Sequence, residues 1–320
     1  MIQDTREIVV RIRGLSYAYG DRQAVDSLSL DLRAGETVGL MGPNGSGKST
    51  AFALLTGLLP MATGELEYRG RRLTPDDWQY RCELGVVFQE PSLDRKLTVR
   101  ENLHLTAKMH GLGRGSSERV ERALRFAGLT ERRGDIVGEL SGGLRRRLDI
   151  ARAMVHEPRF LLLDEPTTGL DLESFEQTWQ LLDELRNSTR TAILVTTHRP
   201  DEALRCDRLI LMKEGRFVRT ATPEELLEGA GNDVLLLETS DPHTVAEVLQ
   251  NTLNLSVAHD PTNDGILRVE VARAQEWVVP IAGLFEAGTV HGMSVRRPGL
   301  SEAYLKVTGS PLVASEGGRA

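Results

Sequence analysis

Two periodicities alternate along this chain. The stretches IVVRIRGLSYAYG (8–20) and AVDSLSLDL (24–32) alternate apolar and polar residues, which predicts half-exposed antiparallel strands. The segment GETVGLMGPNGSGKSTAFALLTGLL (35–59) then predicts a buried strand over Thr37–Met41, a glycine-rich turn and a helix. From about 90 to 140 the pattern turns helical. Thr98 and Glu101 in LTVRENL stand at capping-box spacing, and SSERVERALRFAGL repeats apolar residues three and four apart. FLLLDEP (160–166) is a short apolar strand ending in acids, and TAILVTTH (191–198) is a second apolar run. Unbroken apolar strands alternating with helices predict a parallel sheet covered on both faces.

The pattern changes at LLEGAGND (226–233), a short Gly-containing joint. Beyond it the expected order is strand (Val234–Glu238), helix (Pro242–Leu249), strand (Leu255–His259), strand (Ile266–Val271), helix (Ala274–Ala287), strand (Val290–Arg296) and a last helix (Ser301–Val307). The order β-α-β-β-α-β is that of a ferredoxin-like subdomain. The domains expected are thus 1–228 and 233–309, with 310–320 a disordered tail.

Composition narrows the possibilities. The formal net charge is −7, so no basic field draws the protein to nucleic acid or to an anionic membrane. Cys82 and Cys206 have no metal-ligand spacing, which suggests a reducing compartment without a disulfide framework. The N-terminus is too charged for a signal peptide, and no stretch approaches 18 consecutive apolar residues, so no membrane span is expected.

The strongest motif is GPNGSGKST: Gly42, Pro43, Asn44, Gly45, Ser46, Gly47, Lys48, Ser49 and Thr50. It fits the P-loop pattern, in which backbone N–H groups fold around a phosphate, a lysine reaches the β- and γ-phosphates, and a hydroxyl ligates Mg²⁺. Asp164 and Glu165 end the apolar strand RFLLL. A carboxylate there can hold Mg²⁺ through water and its neighbour can deprotonate the attacking water, although acidic pairs also cap helices at strand ends. Gln89 follows GVVF and His198 follows ILVTT; each alone reads equally as a surface polar residue, but both sit where open α/β sheets bind ligands. Tyr19 and Tyr17 are equal candidates for an aromatic contact.

Taken in order, Tyr19, GPNGSGKST, Gln89, LSGG (140–143), LLLDEP (161–166), GLD (169–171) and His198 resemble the ATP-binding subunit of an ABC transporter over roughly residues 7–225. The resemblance implies an α/β fold: a P-loop NTPase domain of the ABC type, with a mixed sheet core, an antiparallel β subdomain and a helical subdomain at about 90–157. The small ferredoxin-like α/β domain follows it. By position, Tyr19 would stack on adenine, Ser49, Gln89 and Asp164 would surround Mg²⁺, Glu165 would be the general base, and His198 would contact the γ-phosphate. Ser141, Gly142 and Gly143 would close over ATP on a partner's P-loop, giving a head-to-tail dimer, expected to be of identical chains, in which Asp171 links the two sites.

The family's commonest form has glutamine after LSGG, where this chain has Leu144. Leu144 with RRRLDIA, and PGLSEAYLKVTG near the C-terminus, resemble the branch serving ABC-2 type exporters of drugs, lipids or other hydrophobic or polymeric cargo. A separate integral membrane permease is then the implied partner, with its coupling helices received by residues 90–140. The chain itself would be cytoplasmic, peripheral on the inner face of the membrane, with no direct insertion and no nucleic acid. Arg145, Arg146 and Arg147 read as a solvated helix face and subunit contacts. The alternatives are a soluble ABC-type ATPase acting on ribosomes or nucleic acid, and an import subunit. The absence of a second cassette weighs against the first.

Overall fold

The computed structural model describes residues 6–61, 63–74, 77–260, 263–286 and 288–312. The chain divides into two compact units at Pro223/Glu224, with Leu312 counted to the first. The tail beyond Leu312 lies outside the described residues.

The first unit opens with two long strands, β1 (Ile8–Tyr19) and β2 (Arg22–Arg33), paired antiparallel. Their alternation buries Val10, Ile12, Leu15, Val25, Leu28, Leu30 and Leu32 on one face. Then come β3 (Thr37–Met41), α1 (Lys48–Leu55), β4 (Thr63–Tyr68), β5 (Arg71–Leu73), α2 (Trp78–Cys82) and β6 (Leu84–Val87). The helical stretch holds α3 (Val99–Met109), α4 (Ser116–Phe126) and α5 (Gly142–Met154). After it come β7 (Phe160–Asp164), α6 (Leu172–Thr189), β8 (Ala192–Thr197), the single-turn α7 (Pro200–Ala203), β9 (Arg208–Lys213) and β10 (Arg216–Ala221).

These strands form one mixed sheet in the order β5-β4-β1-β2-β10-β9-β3-β8-β7-β6. The apolar strands β3, β8, β7 and β6 lie side by side and parallel, because runs buried on both faces need helices above and below. All five residues of β3 and all six of β8 are buried. Helices α3, α4 and α5 keep a core of their own, built on Val99, Leu103, Val120, Leu124 and Leu148. The start of α3 is a capping box: Thr98 Oγ1 accepts from the Glu101 N–H at 3.2 Å, and Glu101 Oε2 accepts from the Thr98 N–H at 2.7 Å.

The second unit runs α8 (Pro223–Gly229), β11 (Asp233–Thr239), α9 (Pro242–Leu253), β12 (Val257–Asp260), β13 (Asn263–Val271), α10 (Gln275–Ala282), β14 (Val290–Arg296) and α11 (Leu300–Thr308). From β11 to β14 the order is β-α-β-β-α-β, in an antiparallel sheet ordered β12-β13-β11-β14. Several boundaries differ from the sequence expectation, among them α9, which runs on to Leu253, and β13, which begins at Asn263; two have a local cause. Helix α10 stops at Ala282 rather than Ala287, because Gly283 follows and caps it. Strand β12 begins at Val257 rather than Leu255, since Asn254 takes a left-handed turn (φ 52°) to close α9. Among the described residues no helix is long and apolar enough to cross a membrane.

Candidate active site

Four parallel strands deliver the chemistry to one edge. β3 ends at Met41 and leads into the P-loop; β8 ends at Thr197, before His198; β7 ends at Asp164, before Glu165; β6 ends at Val87, two residues before Gln89. The register places Met41 beside Thr197, Thr196 beside Asp164, and Leu163 beside Val87, so the four ends lie level. Residues far apart in sequence meet because a parallel sheet points every C-terminal strand end the same way.

The P-loop carries its glycines for different reasons. A Cβ at Gly42 would stand 2.5 Å from the Met212 carbonyl oxygen, and one at Gly47 would stand 2.4 Å from the carbonyl oxygen of Ala24. Both are therefore required by the protein's own packing. Gly47 also has φ 104°, which glycine alone adopts without strain. The start of α1 has no side-chain cap, so its first N–H groups are open to an anion. Ser46 Oγ is buried with no hydrogen-bond partner among the described residues. An orphaned hydroxyl and an uncapped helix start in one loop fit a phosphate group.

Lys48 is 4% exposed; its Nζ donates to the carbonyls of Gly42 (2.8 Å) and Pro43 (3.1 Å) and stands 4.0 Å from Glu165 Oε1. Burial draws its pKa below the usual lysine value, while Glu165 and Asp164 oppose that shift. Glu165 has φ 43°, an uncommon backbone for a residue with a side chain. Its N–H donates at 3.1 Å to both the carbonyl oxygen and Oγ1 of Thr196, which holds the turn. His198 Nδ1 lies 2.9 Å from Glu165 Oε1. The other oxygen, Oε2, accepts from Thr168 Oγ1 at 3.3 Å and, at a long 3.5 Å, from Gln89 Nε2. Glu165, His198, Gln89 and Lys48 thus form one cluster around a single carboxylate.

Asp164 accepts a short hydrogen bond from Thr196 Oγ1 on Oδ1. Burial pushes its pKa above the usual carboxylate range, reinforced by Glu165 and opposed by that hydrogen bond and by Lys48. Among the described residues no group of three or more His, Cys, Asp or Glu is disposed to hold a metal. Ser49, Gln89 and Asp164 nevertheless offer oxygen donors of the type a hard cation such as Mg²⁺ takes, provided that phosphate oxygens complete its shell.

A cavity of about 500 Å³ opens between the P-loop and the β1–β2 turn. Tyr19, Asn44, Gly45, Gly47, Lys48, Ser49, Thr50 and Glu165 line it, and its volume suits a nucleotide. Tyr19 is 53% exposed and meets Tyr17 edge-on, with ring centroids 5.0 Å apart. Tyr17 instead packs against the core, so of the two it is Tyr19 that lines the cavity. Arg22, Glu214 and Gly215 also line the cavity, yet no motif marks them. A larger hollow of about 720 Å³ lies over Arg119, Arg122, Glu157 and Arg159, where Arg122 is paired with Glu157 at 3.0 Å. It gathers none of the P-loop or strand-end residues.

Ser141, Gly142 and Gly143 do not line the nucleotide-sized cavity. Ser141 caps α5, accepting from the Leu144 N–H at 3.3 Å. Gly143 packs so closely on α6 that a Cβ would stand 2.2 Å from Ser174 Oγ. Asp171 caps α6, accepting from the Ser174 N–H at 2.8 Å, which holds its carboxyl below the usual range.

The expectation for the three arginines needs correction. Arg146 is buried (3% exposed), with its guanidinium on the carbonyls of Phe88 and Gln89. Arg145 and Arg147 are half-buried, so RRR is not a solvated face. Sequence reasoning also missed Glu202, buried between two loops, where it accepts from Thr167 Oγ1 at 2.5 Å and from Thr197 Oγ1.

A family model described as ABC transporter matches residues 25–168. The chain is 31% identical over 311 residues to the linearmycin resistance ATP-binding protein LnrL of Bacillus subtilis (strain 168), covering 95% of this chain and 99% of that protein. It is 36% identical over 304 residues to the Nod factor export ATP-binding protein I of Cupriavidus metallidurans, covering 94% and 97%. Among solved structures it resembles cbiO1 of Clostridium perfringens, part of the transporter complex cbiONQ (TM-score 0.63, 26% identity, 78% of this chain and 97% of that one). It also resembles the dimeric, post-hydrolysis ATP-binding cassette MJ0796 bound to ADP and Pi (TM-score 0.59, 31% identity, 67% and 98%).

Proposed function

The chain belongs to the ATP-binding subunits of ABC transporters, and from that premise we propose that it drives export through a separate integral membrane permease of the ABC-2 type. It binds and hydrolyses ATP. The names of its relatives, linearmycin resistance and Nod factor export, support the direction of transport. The permease contacts fall on residues 90–140, the helical stretch after Gln89. The chain works at the cytoplasmic face of the membrane, held there by that partner.

Within the site, Tyr19 stacks on the adenine and residues 42–50 wrap the triphosphate, with Lys48 leaving the Gly42 and Pro43 carbonyls for phosphate oxygens. Ser49, Gln89 and Asp164 would hold Mg²⁺, which when bound would neutralise phosphate charge. Glu165 takes the proton of the attacking water. Its carboxylate is turned toward that position by Thr168 and by His198, which also reaches the γ-phosphate. Two chains pair head to tail, each lending Ser141, Gly142 and Gly143 to the other's nucleotide, with Asp171 in the loop that joins the two sites.

The observation that carries this reading is the placement of Lys48, Gln89 and His198 around the strained Glu165, at the wall of a nucleotide-sized cavity. Replacement Glu165→Gln is expected to slow ATP turnover by ~10²-fold or more, while ATP-driven dimerisation, followed by sedimentation, survives. Normal turnover in that variant would remove Glu165 from the chemistry.

A further inference from the structure

Helix α5 holds more than the LSGG turn (140–143) at its start, the signature turn. Arg146, Asp149 and Arg152 repeat at intervals of three and therefore share one face of the helix. Arg146 donates through Nη1 to the Phe88 carbonyl at 2.7 Å and through Nη2 to the Gln89 carbonyl at 2.6 Å. Arg152 donates through Nη2 to Ser92 Oγ at 2.9 Å and to the Val86 carbonyl at 3.4 Å. Asp149, fully buried, sits between them: Arg152 Nε donates to Oδ1 at 2.9 Å, and Arg146 Nη1 stands 3.7 Å from Oδ2. Two guanidinium forks and one carboxylate therefore grip the chain from Val86 to Ser92, the segment that carries Gln89 out of β6.

Such a grip is costly. Burial draws Arg146 below its usual pKa and raises Asp149, each shift opposed by neighbouring opposite charge. Buried ion pairs contribute little net stability compared with apolar residues of the same size, so their use points to specificity of geometry. A planar fork on two successive carbonyls fixes both the position and the direction of the backbone it holds. The side-chain amide of Gln89, whose carbonyl is in the fork, is the group that reaches Glu165.

The same helix begins at Ser141, five residues before Arg146, or about 7.5 Å along a rigid helix. We infer that Arg146, braced by Asp149 and Arg152, is a positioning residue for hydrolysis: it ties the Gln89 segment to the helix start that seats on a partner's nucleotide. Docking of Ser141–Gly143 on one molecule then sets where Gln89 stands in that molecule's own site. This inference rests on the dimer described under Proposed function.

The test uses the full chain in the Glu165→Gln background, so that ATP holds the dimer closed. Amide hydrogen exchange of residues 88–92 is followed with and without ATP and Mg²⁺, alongside the Mg²⁺ concentration that half-maximally promotes dimerisation. The parent is expected to gain protection over 88–92 on dimerisation. In the pair Arg146→Gln/Asp149→Ala, which leaves Arg152 on Ser92 Oγ and the Val86 carbonyl without its carboxylate partner, exchange of that segment rises about tenfold and no longer responds to dimerisation. The half-maximal Mg²⁺ concentration rises by roughly tenfold, as when a group orienting a metal ligand is removed. Arg146→Lys, which keeps the charge and loses the fork, is expected to stay impaired. Unchanged exchange and unchanged Mg²⁺ dependence in the double variant would overturn the inference, and full recovery with lysine would overturn the role of the fork. If the parent itself does not dimerise with ATP, the proposed function fails instead, while exchange in the absence of ATP still reads the grip.

Discussion

The molecule has two glycine-rich turns that each open a helix, and they are built in opposite ways. At the P-loop the helix start is left uncapped, Gly47 turns left-handed, and a buried hydroxyl and a buried lysine face inward. At the signature turn Ser141 caps the helix from its own side chain, and Ser141 and Gly142 lie exposed. The first is a cradle finished by its own chain. The second is an exposed turn, which the proposed dimer would finish with a partner's nucleotide. Similar sequence, glycines before a helix, serves enclosure in one place and presentation in the other.

The comparison breaks most visibly if the two turns do not act on one nucleotide. Lys48→Ala should abolish useful ATP affinity and Ser141→Arg should abolish turnover, each by ~10²-fold or more. A mixture of the two variants forms some dimers that contain one intact P-loop facing one intact signature. Turnover of the mixture, measured against each variant alone, should return to roughly a quarter of the parent's for a statistically mixed symmetric dimer. No recovery in a mixture shown to form mixed dimers would place the signature turn outside the active site.

Packing sharpens the contrast at intermediate cost. Gly47→Ala meets a backbone carbonyl and a forbidden φ, and should destabilise the protein by about 3 kcal/mol. Gly143→Ala meets only the Ser174 side chain and should cost about 1–2 kcal/mol. Thermal melts of Gly143→Ala with and without Ser174→Gly should show recovery, because the second change opens the space. Gly47→Ala has no such partner to change. Recovery absent in the Gly143 pair would mean that its glycine is required by the turn and not by α6.

The smallest effect lies behind the signature helix, where His156 stacks on His110 with ring centroids 3.9 Å apart. Burial, with His110 adding to it, pushes the His156 pKa down to about 3. The unfolded chain takes up a proton near pH 6.5 while the folded chain does not, so stability is full above about 6.5 and falls as pH drops toward 3. The loss is at most ~1.4 kcal/mol per pH unit from this residue. His156→Phe should flatten that part of the profile in melts at pH 7.5 and 5.5, and an unchanged slope would assign the acid sensitivity to other groups.

Much of the site was legible beforehand because its residues sit at strand ends, and strand ends are marked by apolar runs. Lys48, Gln89, Glu165 and His198 each follow such a run, and the structure brings them to one edge. Thr168 and Glu202 carry no such mark, and Thr196 lies within the run and not after it. They are common residue types whose importance depends on which loop lies opposite, and that is a matter of register. Arg146 was misread for the same reason: a charged residue on a helix is usually solvated, and only the approach of the Phe88–Gln89 backbone makes this one a core residue. The choice between Tyr17 and Tyr19, whose rings touch, likewise turned on which of them packs on the core and which lines the cavity.

What the sequence determined by itself is what short-range chemistry dictates: the two strand periods, the capping box at Thr98, the left-handed glycine turn before the P-loop helix, and the acids after an apolar strand. These depend on a residue and its near neighbours, so a linear pattern contains them. What only the tertiary structure decided is which carbonyl each buried cation meets, why Gly143 can carry no side chain, and how one carboxylate comes to be shared by three loops. Those facts depend mostly on contacts between segments about 30 to 76 residues apart. Burial gives them their strength, since a hydrogen bond or charge removed from water acts far more strongly than the same group on a surface.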